Sequence, residues 1–539
     1  MYTPTIILIA FEEIEHLGMG YLSSILCESN YQVKIIDFRR DKTDILTEVL
    51  QCDPLLIGFS VIYDDHIYNF KSLVEYLRNN GILCHFTAGG HFASLRPANL
   101  FKIIPFLDSI VRFEGEHTLL DLVQHLHNGK DWKEVTGLSY KKDGTVVNNK
   151  LRPLKTDLDA FPFPLRPELK EYALKKKYTI LLAGRGCVHN CTFCDIKEFY
   201  RQPPGPIKRI RNPEKVVEEI KFIYEEKDCL VFLFQDDDFP VVTKKSTEWI
   251  ERFCMAIRDN DLTGKIMWKI NCRPDEINLE SFEMMKEHGL FRVFMGIEDG
   301  TDYGLRKMNK KLNVSDNLSA INILKKLEIN IDYGFMLFQP DTTFNSLREN
   351  LNFLRLICED GYMPVTFLKM MPYLETEVEK ELRKAGRIKG IPGSLDYDFL
   401  VKSMDDYYDF VSGAFNTWLN SPQGLSNISK WADIYNSVFS FYYGDIDGPQ
   451  YLINELRTQV SDANKYMLDT LHVLSEIFES NSYDLENDEE LEYLRSTIDE
   501  KHDSTLKQIK RIILKFEMYY LLKDILGFEA RTKQGQPIN

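Results

Sequence analysis

The sequence is poor in the features that direct a protein into a membrane or out of the cell. No apolar run approaches the roughly 18 residues of a membrane span. The chain begins without the positively charged stretch and the cleavage site of an export signal, so the apolar run at 5–10 is interpreted as a first strand. The ten cysteines lack the spacing of a disulfide framework. We therefore expect a cytoplasmic protein in a reducing environment, with no membrane partner.

Basic residues are also fewer than acidic residues. Lysine and arginine number 66 against 82 aspartates and glutamates, which gives a net charge of -16, and no long basic block stands out. This balance argues against a nucleic-acid partner, because such partners are held by neutralising their phosphates. The 539 residues, of which 44% are hydrophobic, suffice for about three or four globular domains with a large core.

Short apolar runs alternate with amphipathic stretches over residues 1–135. The runs that predict strands are 5–10, 33–38, 55–62, 83–88 and 109–113. Strand and helix alternating at this spacing predict a doubly wound, Rossmann-like parallel sheet. Such sheets bind their ligands outside the carboxyl ends of the strands, so the segments that follow the runs are the candidate binding segments.

The remainder of the chain predicts three further regions. Residues 136–170 combine a hairpin that turns on Asp143-Gly144 with a proline-rich connector. Over 171–375 the apolar runs 179–183, 230–234, 265–270, 292–296, 330–337 and 364–370 alternate with longer helices, which predicts a (βα)6 partial TIM barrel. Residues 376–539 predict a mainly helical C-terminal domain, which we expect to cover the barrel mouth and to set substrate specificity.

Three cysteines lie close together after the first barrel run. Cys187, Cys191 and Cys194 have the spacing Cys-x3-Cys-x2-Cys, and soft thiolates of this kind bind iron or zinc. Structural zinc takes four protein ligands, and a fourth is missing here. The triad therefore favours a 4Fe-4S cluster with one iron open to a small chelating molecule. The alternative is a partial zinc site completed by His189 or a distant cysteine.

This spacing, with Phe193 directly before the third cysteine, resembles the signature of the radical S-adenosylmethionine (SAM) enzymes. The resemblance implies that the open iron binds the amino and carboxylate groups of SAM. It also implies that one electron from the cluster cleaves SAM to a 5'-deoxyadenosyl radical, with flavodoxin or ferredoxin as an external electron donor. Arg209 resembles part of a basic segment of the family that closes over the cluster or orients Tyr200. A surface basic patch is the alternative for Arg209.

The ends of the later barrel runs resemble the SAM contacts of the same family. The aspartates of Gln235-Asp236-Asp237 offer acceptors to the SAM amino group, and Arg273 offers a two-pronged donor to its carboxylate. Glu298, in a Gly-Ile-Glu-Asp-Gly stretch, resembles the glutamate that meets the SAM ribose. A solvated acidic turn or a magnesium site is the alternative for the aspartates. A structural ion pair is the alternative for Arg273.

The post-strand segments of the first domain resemble the cobalamin-binding domain that precedes many radical SAM barrels. Their glycines permit close backbone approach to a ligand, although turn formation is the alternative for each. The sequence lacks the Asp-x-His-x-x-Gly pattern that supplies a cobalt ligand, because His16 has a different spacing from Gly18. The resemblance thus implies cobalamin without a protein imidazole on cobalt and with segment 61–64 at its lower face. The candidate cobalamin-binding residues are Leu17, Gly18, Ser60, Val61, Tyr63, Gly89, Gly90, His91, Glu114 and Gly115.

Together the resemblances cover about the first 375 residues and imply a cobalamin-dependent radical SAM enzyme. The expected reaction is C-methylation at an unactivated carbon of a small-molecule or peptide natural-product substrate, by way of the SAM-derived radical and methylcobalamin. The first alternative is a cobalamin-dependent radical cyclisation or ring rearrangement. A methylthiotransferase is a second, although Cys27, Cys52 and Cys84 do not form the additional triad that it requires. A cobalamin-binding sensor with an inactive barrel is a third.

Overall fold

The structure is a computed structural model of the whole chain. It describes residues 3–11, 16–62, 66–166, 168–240, 244–444, 450–480, 483 and 489–522. The candidate cobalamin residue Tyr63 lies outside these ranges. Among the helices in these ranges, none has both the length and the hydropathy to cross a membrane.

A seven-stranded sheet occupies the first part of the chain. Its strands are β1 (Thr5–Ala10), β2 (Gln32–Asp37), β3 (Leu56–Ser60), β4 (His85–Gly89), β5 (Ser109–Val111), β6 (Leu138–Lys142) and β7 (Thr145–Asn148). The helices between them are α1 (Leu17–Glu28), α2 (Lys42–Cys52), α3 (Ile67–Asn79), α4 (His91–Leu95), α5 (Pro97–Ile103) and α6 (Glu116–His127). The strand order is β2-β1-β3-β4-β5-β6-β7, and β1 to β5 are parallel.

This arrangement confirms the predicted doubly wound sheet. Because β1 lies between β2 and β3, the order in which strands are added to the sheet reverses there, and the carboxyl ends of β1 and β3 border the crevice in which such sheets bind ligands. The hairpin predicted at Asp143-Gly144 is also present. Both residues have positive φ angles, of 49° and 79°, as a tight two-residue turn requires. The hairpin extends this sheet through β5 and β6, whereas the prediction assigned it to the connector.

A second sheet follows. The next strands along the chain are β8 (Lys170–Glu171), β9 (Lys177–Leu181), β10 (Gly184–Arg185), β11 (Arg209–Ile210), β12 (Cys229–Phe234), β13 (Met267–Cys272), β14 (Leu290–Glu298) and β15 (Asn330–Phe335). Strands β10 and β11 form a separate two-stranded ladder. The helices are α7 (Ile196–Arg201), α8 (Pro213–Lys227), α9 (Lys244–Asp259), α10 (Leu279–Glu287), α11 (Asp302–Lys307), α12 (Val314–Lys326) and α13 (Phe344–Cys358). The sheet order is β15-β14-β13-β12-β9-β8, with five parallel strands and β8 antiparallel at the edge. The fold is the expected partial barrel.

The sixth predicted barrel strand, 364–370, is reduced to a single bridge between Phe338 and Lys369. The segment runs beside the end of β15, but its first amides bond to side chains. The Val365 amide donates to Asn464 Oδ1 at 2.8 Å, and the Thr366 amide donates to the Tyr333 hydroxyl at 3.1 Å. Because these donors are satisfied outside a ladder, the strand does not extend.

The last part of the chain is mainly helical, as predicted. It contains α14 (Glu377–Lys384), β16 (Ile388–Ile391), β17 (Ser394–Tyr397), α15 (Lys402–Ala414), α16 (Asn416–Asn420), α17 (Leu425–Tyr443), α18 (Gln450–Glu479) and α19 (Glu489–Leu522). The expectation that this region covers the barrel mouth stays a prediction. Helix α17 packs against the amino-terminal ends of the strands. There the Tyr442 hydroxyl donates to the carbonyls of Leu230 and Lys265, both at 3.1 Å. Helix α15 approaches the other end, where Tyr408 contacts Phe338 with ring centroids 5.0 Å apart.

The chain forms two compact units that do not follow sequence order. The first unit comprises Met1–Leu169, Gly184–Lys215 and Met371–Tyr397, and the second comprises Lys170–Ala183, Val216–Met370 and Asp398–Asn539. The cysteine triad therefore belongs to the first unit, together with the seven-stranded sheet. The domain boundaries that the sequence suggests, at 135, 170 and 375, stay predictions.

Candidate active site

The cysteine triad lies in a loop that a short antiparallel ladder frames. β10 pairs with β11, so that Arg185 faces Arg209. Gly186 follows with a φ of 82°, and a Cβ atom there would lie 2.0 Å from the carbonyl oxygen of Ile207, so only glycine fits. The loop then turns tightly, with the Cys194 amide donating to the Cys191 carbonyl at 3.4 Å.

The three thiols lie close enough to affect one another. All ten cysteines, which lie within the described ranges, are free of disulfides. The pKa of Cys194 is raised to about 12, chiefly by burial and also by the charges of Asp195, Cys191 and Cys187. Thiolates crowded in this way need a bound cation to stay deprotonated, and three soft donors fit an iron-sulfur cluster. A ring nitrogen of His189 lies within 4.8 Å of the Cys187 sulfur, so a nitrogen donor stands beside the triad.

Helix α14 and its surroundings support this loop within the first unit. The Val378 amide at the start of α14 donates to the Thr192 carbonyl at 3.3 Å. Lys197, which is buried, donates to Glu377 at 3.1 Å. Leu374 packs into the apolar core of the seven-stranded sheet. The segment 371–397 therefore fastens the cysteine loop to the domain that carries the candidate cobalamin residues.

A buried ion network makes a second link between the same parts. Arg185 lies 2.7 Å from Glu116 and 3.3 Å from Glu114, and its guanidinium stacks 4.9 Å from the centre of the Tyr21 ring. Arg209 donates to both carboxylate oxygens of Glu114, each at 2.8 Å. Burial favours the neutral carboxyl, but the two arginines outweigh it, so the pKa of Glu114 lies below its ordinary value. The network joins the start of the cysteine motif to a candidate cobalamin segment.

Arg209 is thus not part of a surface basic patch, the alternative that the sequence left open. Its side chain is 2% exposed. The guanidinium lies 5.4 Å from the centre of the Tyr200 ring, within the range of a cation–π contact. The expectation that Arg209 orients Tyr200 therefore has a matching contact.

The described candidate cobalamin residues lie along one edge of the seven-stranded sheet. Ser60 and Val61 end β3, Gly89 and Gly90 end the adjacent β4, Leu17 and Gly18 open α1, His91 opens α4, and Glu114 and Gly115 follow β5. Gly90 has a φ of 107°, and a Cβ atom there would lie 2.5 Å from the Val61 carbonyl oxygen. Glycine is therefore required where these two strand ends approach each other.

His16 has a local structural role. Its Nδ1 accepts a hydrogen bond from the Met19 amide at 3.2 Å and so caps α1, and its Nε2 lies 3.1 Å from the Ser60 hydroxyl. Burial lowers the pKa of His16 to about 4, which keeps the ring neutral. Both ring nitrogens are engaged by protein groups.

In the second unit, the acidic segment after β12 divides into two kinds of residue. Asp236 is buried, and its carboxylate accepts a hydrogen bond from the Ala183 amide at 3.1 Å. Its carbonyl accepts one from the Asn271 side chain at 3.3 Å, so Asp236 ties together the ends of β9, β12 and β13. Gln235 and Asp237 are exposed. The sequence predicted that all three residues contact SAM, and the structure leaves Gln235 and Asp237 accessible to a ligand.

Arg273 forms the structural ion pair that the sequence kept as an alternative. Its side chain donates to Asp275 at 2.9 and 3.1 Å and also to the carbonyl of Lys310. The Lys310 ammonium in turn lies 3.1 Å from Glu298 Oε1. Sequence reasoning missed Lys310, although it stands in the Met308-Asn-Lys-Lys stretch that follows the Glu298 motif.

The Glu298 carboxylate packs against two glycines, Gly296 on β14 and Gly334 on β15. A Cβ atom on Gly296 would lie 2.4 Å from Glu298 Oε1, and one on Gly334 would lie 3.3 Å from Oε2. Glu298 is 8% exposed and has a positive φ of 67°. The glycines on β14 and β15 therefore leave the space that this carboxylate and its partner Lys310 occupy.

The next residue, Asp299, anchors the turn after β14. It accepts hydrogen bonds from the amide and the hydroxyl of Thr301, both at 2.7 Å, and from the side chain of Gln339. Burial raises its pKa, and these hydrogen bonds oppose the rise. Asp299 thereby fixes the backbone that presents Glu298.

Comparison with known protein families yields two matches along the chain. The B12 binding domain matches residues 5–123, and the radical SAM superfamily matches residues 181–354. The first range contains the seven-stranded sheet up to α6, and the second contains the cysteine triad and strands β12 to β15.

Curated relatives and one solved structure resemble larger parts of the chain. An uncharacterized methyltransferase of Pyrococcus horikoshii is 29% identical over 349 residues, which cover 63% of this chain and 72% of that protein. The anaerobic magnesium-protoporphyrin IX monomethyl ester cyclase of Rubrivivax gelatinosus is 30% identical over 277 residues, covering 50% of this chain and 48% of the cyclase. The cobalamin-dependent SAM radical enzyme OxsB, solved with aqua-cobalamin and SAM, superposes with a TM-score of 0.67 at 19% identity over 97% of this chain and 81% of OxsB.

Proposed function

Because the chain belongs to the cobalamin-dependent radical SAM enzymes, we propose that it methylates an unactivated carbon of a small-molecule or peptide substrate. The observation that carries this proposal is the buried network of Arg185, Glu114 and Arg209. It fastens the start of the cysteine motif to the edge of a B12-type sheet within one compact unit. A reaction that uses a cluster and a corrin together needs such a fixed relation between them.

The residues present fit three cofactors. Cys187, Cys191 and Cys194 would hold a 4Fe-4S cluster, since they are three thiols outside disulfides that lie close enough to affect one another. The edge residues from Ser60 to Gly115 would hold cobalamin, with Gly90 keeping the strand ends close to it. Asp237, Gln235 and Glu298 would contact SAM. When bound, the cofactors supply the radical and the methyl group.

The residues of the chain bind and orient these cofactors. Glu298, held by Lys310 at 3.1 Å, offers acceptor oxygens to the ribose hydroxyls of SAM. Arg273 donates to the Lys310 carbonyl and so helps to place that pair. Asp237 is exposed and offers acceptors to the SAM amino group.

His16 supports a cobalamin bound without a protein imidazole on cobalt. The Met19 amide and the Ser60 hydroxyl engage both of its ring nitrogens, and the ring would have to break both contacts to reach a metal. The lower face of the corrin would then meet the segment that follows Val61.

A radical cyclase is the second candidate, because three relatives are cyclases, at 26% to 30% identity. The methyltransferase relative matches over a longer range, 72% of its length against 48% for the cyclase of Rubrivivax gelatinosus, and this favours methylation. A methylthiotransferase is not favoured, because it requires a second cysteine triad in the first domain. Cys27 lies in α1, Cys52 is the last residue of α2 and Cys84 directly precedes β4, so these three cysteines do not share a loop in the described chain.

The first test is the ultraviolet-visible spectrum of protein purified without oxygen, reconstituted with iron, sulfide and hydroxocobalamin, and desalted. We expect corrin bands together with the broad absorbance of an iron-sulfur cluster. Cluster absorbance without corrin would contradict the methylation proposal. With a substrate in hand, methylation requires 5'-deoxyadenosine and S-adenosylhomocysteine in equal amounts, whereas cyclisation requires no S-adenosylhomocysteine.

A further inference from the structure

One face of the sheet in the second unit borders accessible space. Along β13, β14 and β15, the residues on this face are less buried than their neighbours on the other face. They are Lys269 and Asn271, Phe294 and Gly296, and Asp332 and Gly334. The register confirms a common face, because Asn271 pairs with Phe294. On the opposite face, Trp268, Val293 and Met295 are fully buried.

Phe294 is unusual for the middle of a central strand, since it is 37% exposed. On β15 it pairs with Asp332, and a Cβ atom on the diagonal neighbour Gly334 would lie 3.4 Å from the Phe294 ring. Asn271 lies beside it, and its Oδ1 is buried without a hydrogen-bond partner among the described residues. This face of the sheet thus has an exposed aromatic ring (Phe294), space left by the absent side chain of Gly334, and a hydrogen-bond acceptor, Asn271 Oδ1, without a partner among the described residues.

Positive charge on this face exceeds negative charge. The Lys269 ammonium lies 5.8 Å from the centre of the Phe294 ring, and no carboxylate of the described chain lies within 4.0 Å of it. The nearby Asp332 is engaged by Arg292 at 2.8 Å, and Arg292 also binds Asp433 at 2.6 Å. Lys430 adds a further cation, so the three cations Lys269, Arg292 and Lys430 lie near the two carboxylates of Asp332 and Asp433.

The electrostatic environment of Lys269 follows from these neighbours. Burial lowers the pKa of Lys269, Asp332 raises it, and Arg292 and Lys430 lower it further. A partly buried cation without its own counter-ion is costly, and an anionic ligand would offset that cost.

We propose that this face binds the substrate, with an anionic group, a carboxylate or a phosphate, on Lys269 and a flat apolar part against Phe294. The inference rests on the proposed function, since it assigns the substrate to the strands that also carry Glu298. Lys269 and Gly296 lie on the same face of the sheet, and Gly296 lies beside the Glu298 carboxylate. A ligand bound to Lys269 can therefore extend along this face toward Glu298, which we assign to SAM.

The test measures binding of three probes to the reconstituted full-length protein by equilibrium dialysis. Benzoate and phenyl phosphate carry a ring and an anionic group, and benzyl alcohol carries the ring alone. We expect both anions to bind at millimolar concentration and benzyl alcohol to bind more weakly. The anion that binds more tightly identifies the substrate group as a carboxylate or a phosphate.

Variants separate a binding role from a structural one. K269M should weaken both anions by about tenfold or more, whereas K269R should restore most of the affinity. F294A should weaken all three probes. The matched control is K326M, which removes an exposed lysine of the same unit and should leave binding unchanged. Anion binding to the wild type should fall as pH rises through the lowered pKa of Lys269, and K269R should remove that fall because the guanidinium stays charged.

Three results would overturn the inference. They are an absence of anion binding to the wild type, unchanged binding in K269M, and equal losses in K269M and K326M. Failure of the proposed function is recognised separately, by wild-type protein that retains no corrin or does not cleave SAM with a chemical reductant. Wild-type protein that passes both cofactor tests but does not bind the anions contradicts the substrate inference alone.

Discussion

Arg209 holds the carboxylate of Glu114 with two parallel hydrogen bonds of 2.8 Å, one from each terminal nitrogen of its guanidinium. Arg185 approaches the same carboxylate to 3.3 Å. Glu114 therefore bridges two arginines of the β10–β11 ladder, which frames the cysteine loop, while standing at the end of β5. Because both arginines would be left buried without it, this single carboxylate is a sensitive point of the first unit.

The first prediction concerns stability and pH. E114Q should lower the free energy of unfolding at pH 7 by about 3 kcal/mol, because the buried Arg209 guanidinium loses the carboxylate that it binds with two hydrogen bonds and Arg185 loses one of its two. The folded pKa of Glu114 is lowered, so its contribution is complete above the ordinary value of 4.5 and is lost as pH falls through the folded value. The difference between wild type and variant should therefore shrink in acid. Thermal unfolding across this pH range measures it, with the exposed E28Q as control, and a difference independent of pH would contradict it.

The second prediction concerns the metal centre. Alanine at Cys187, Cys191 or Cys194 should reduce bound iron and sulfide to near background after reconstitution, because two thiolates cannot retain the cluster. C27A removes an exposed cysteine in α1 and should leave both contents unchanged. Iron and sulfide analysis with the visible spectrum is the measurement. A triad variant that keeps full iron content would exclude the triad as the ligand set.

The third prediction concerns the carboxylate that we assign to SAM. In G296A the new methyl group would lie 2.4 Å from Glu298 Oε1 and 2.8 Å from Lys310 Nζ. Both atoms end flexible side chains, so the fold should persist while the carboxylate moves. Binding of labelled SAM to cluster-loaded protein should weaken by about tenfold, the loss of one charge-assisted contact.

G413A is the matched control, because a Cβ atom at Gly413 in α15 meets no atom within 4 Å. It should bind SAM as the wild type does and should be slightly more stable. If G296A retains wild-type SAM affinity and an unchanged melting temperature, Glu298 does not contact SAM.

The fourth prediction concerns the amino-terminal end of the second sheet. Y442F leaves the Leu230 and Lys265 carbonyls without their shared donor, which should cost about 1 to 3 kcal/mol of unfolding free energy. Y303F removes the hydroxyl of a tyrosine that is 65% exposed and should have no measurable effect. Denaturant unfolding of both variants gives the comparison, and equal stability would show that these hydrogen bonds contribute nothing.

Much of the architecture was predictable because it depends on local periodicity. The apolar run at 5–10 coincides with β1, since a parallel strand covered on both faces needs a continuous apolar sequence. The Asp143-Gly144 turn was predictable from its φ requirements. The conformation of segment 364–370 was not predictable. Two of its amides donate hydrogen bonds to the side chains of Asn464 and Tyr333, which are distant in sequence.

The site shows the same division between local and distant information. The spacing of the three cysteines is a local pattern and could be recognised directly. The ion-pair partners of Arg209 and Glu298 could not be predicted. Glu114, the partner of Arg209, lies 95 residues away in sequence, and Lys310, the partner of Glu298, belongs to the loop after α11. Arg273 was predicted to bind the SAM carboxylate, with a structural ion pair as the alternative; the structure shows its ion pair with Asp275, and the SAM contact stays a prediction. Electrostatic complementarity alone cannot tell a ligand from a nearby side chain.

The position of Tyr442 also constrains how the protein folds during translation. Its hydroxyl contacts the carbonyl of Leu230 across 212 residues of chain. A ribosome therefore completes every strand of the second sheet well before it delivers the helix that closes the sheet's amino-terminal end. During that interval the nascent sheet exposes apolar surface, and chaperones bind such surface. Translation paused between residues 400 and 425 should accordingly yield nascent chains that are more sensitive to protease than chains extended to residue 522.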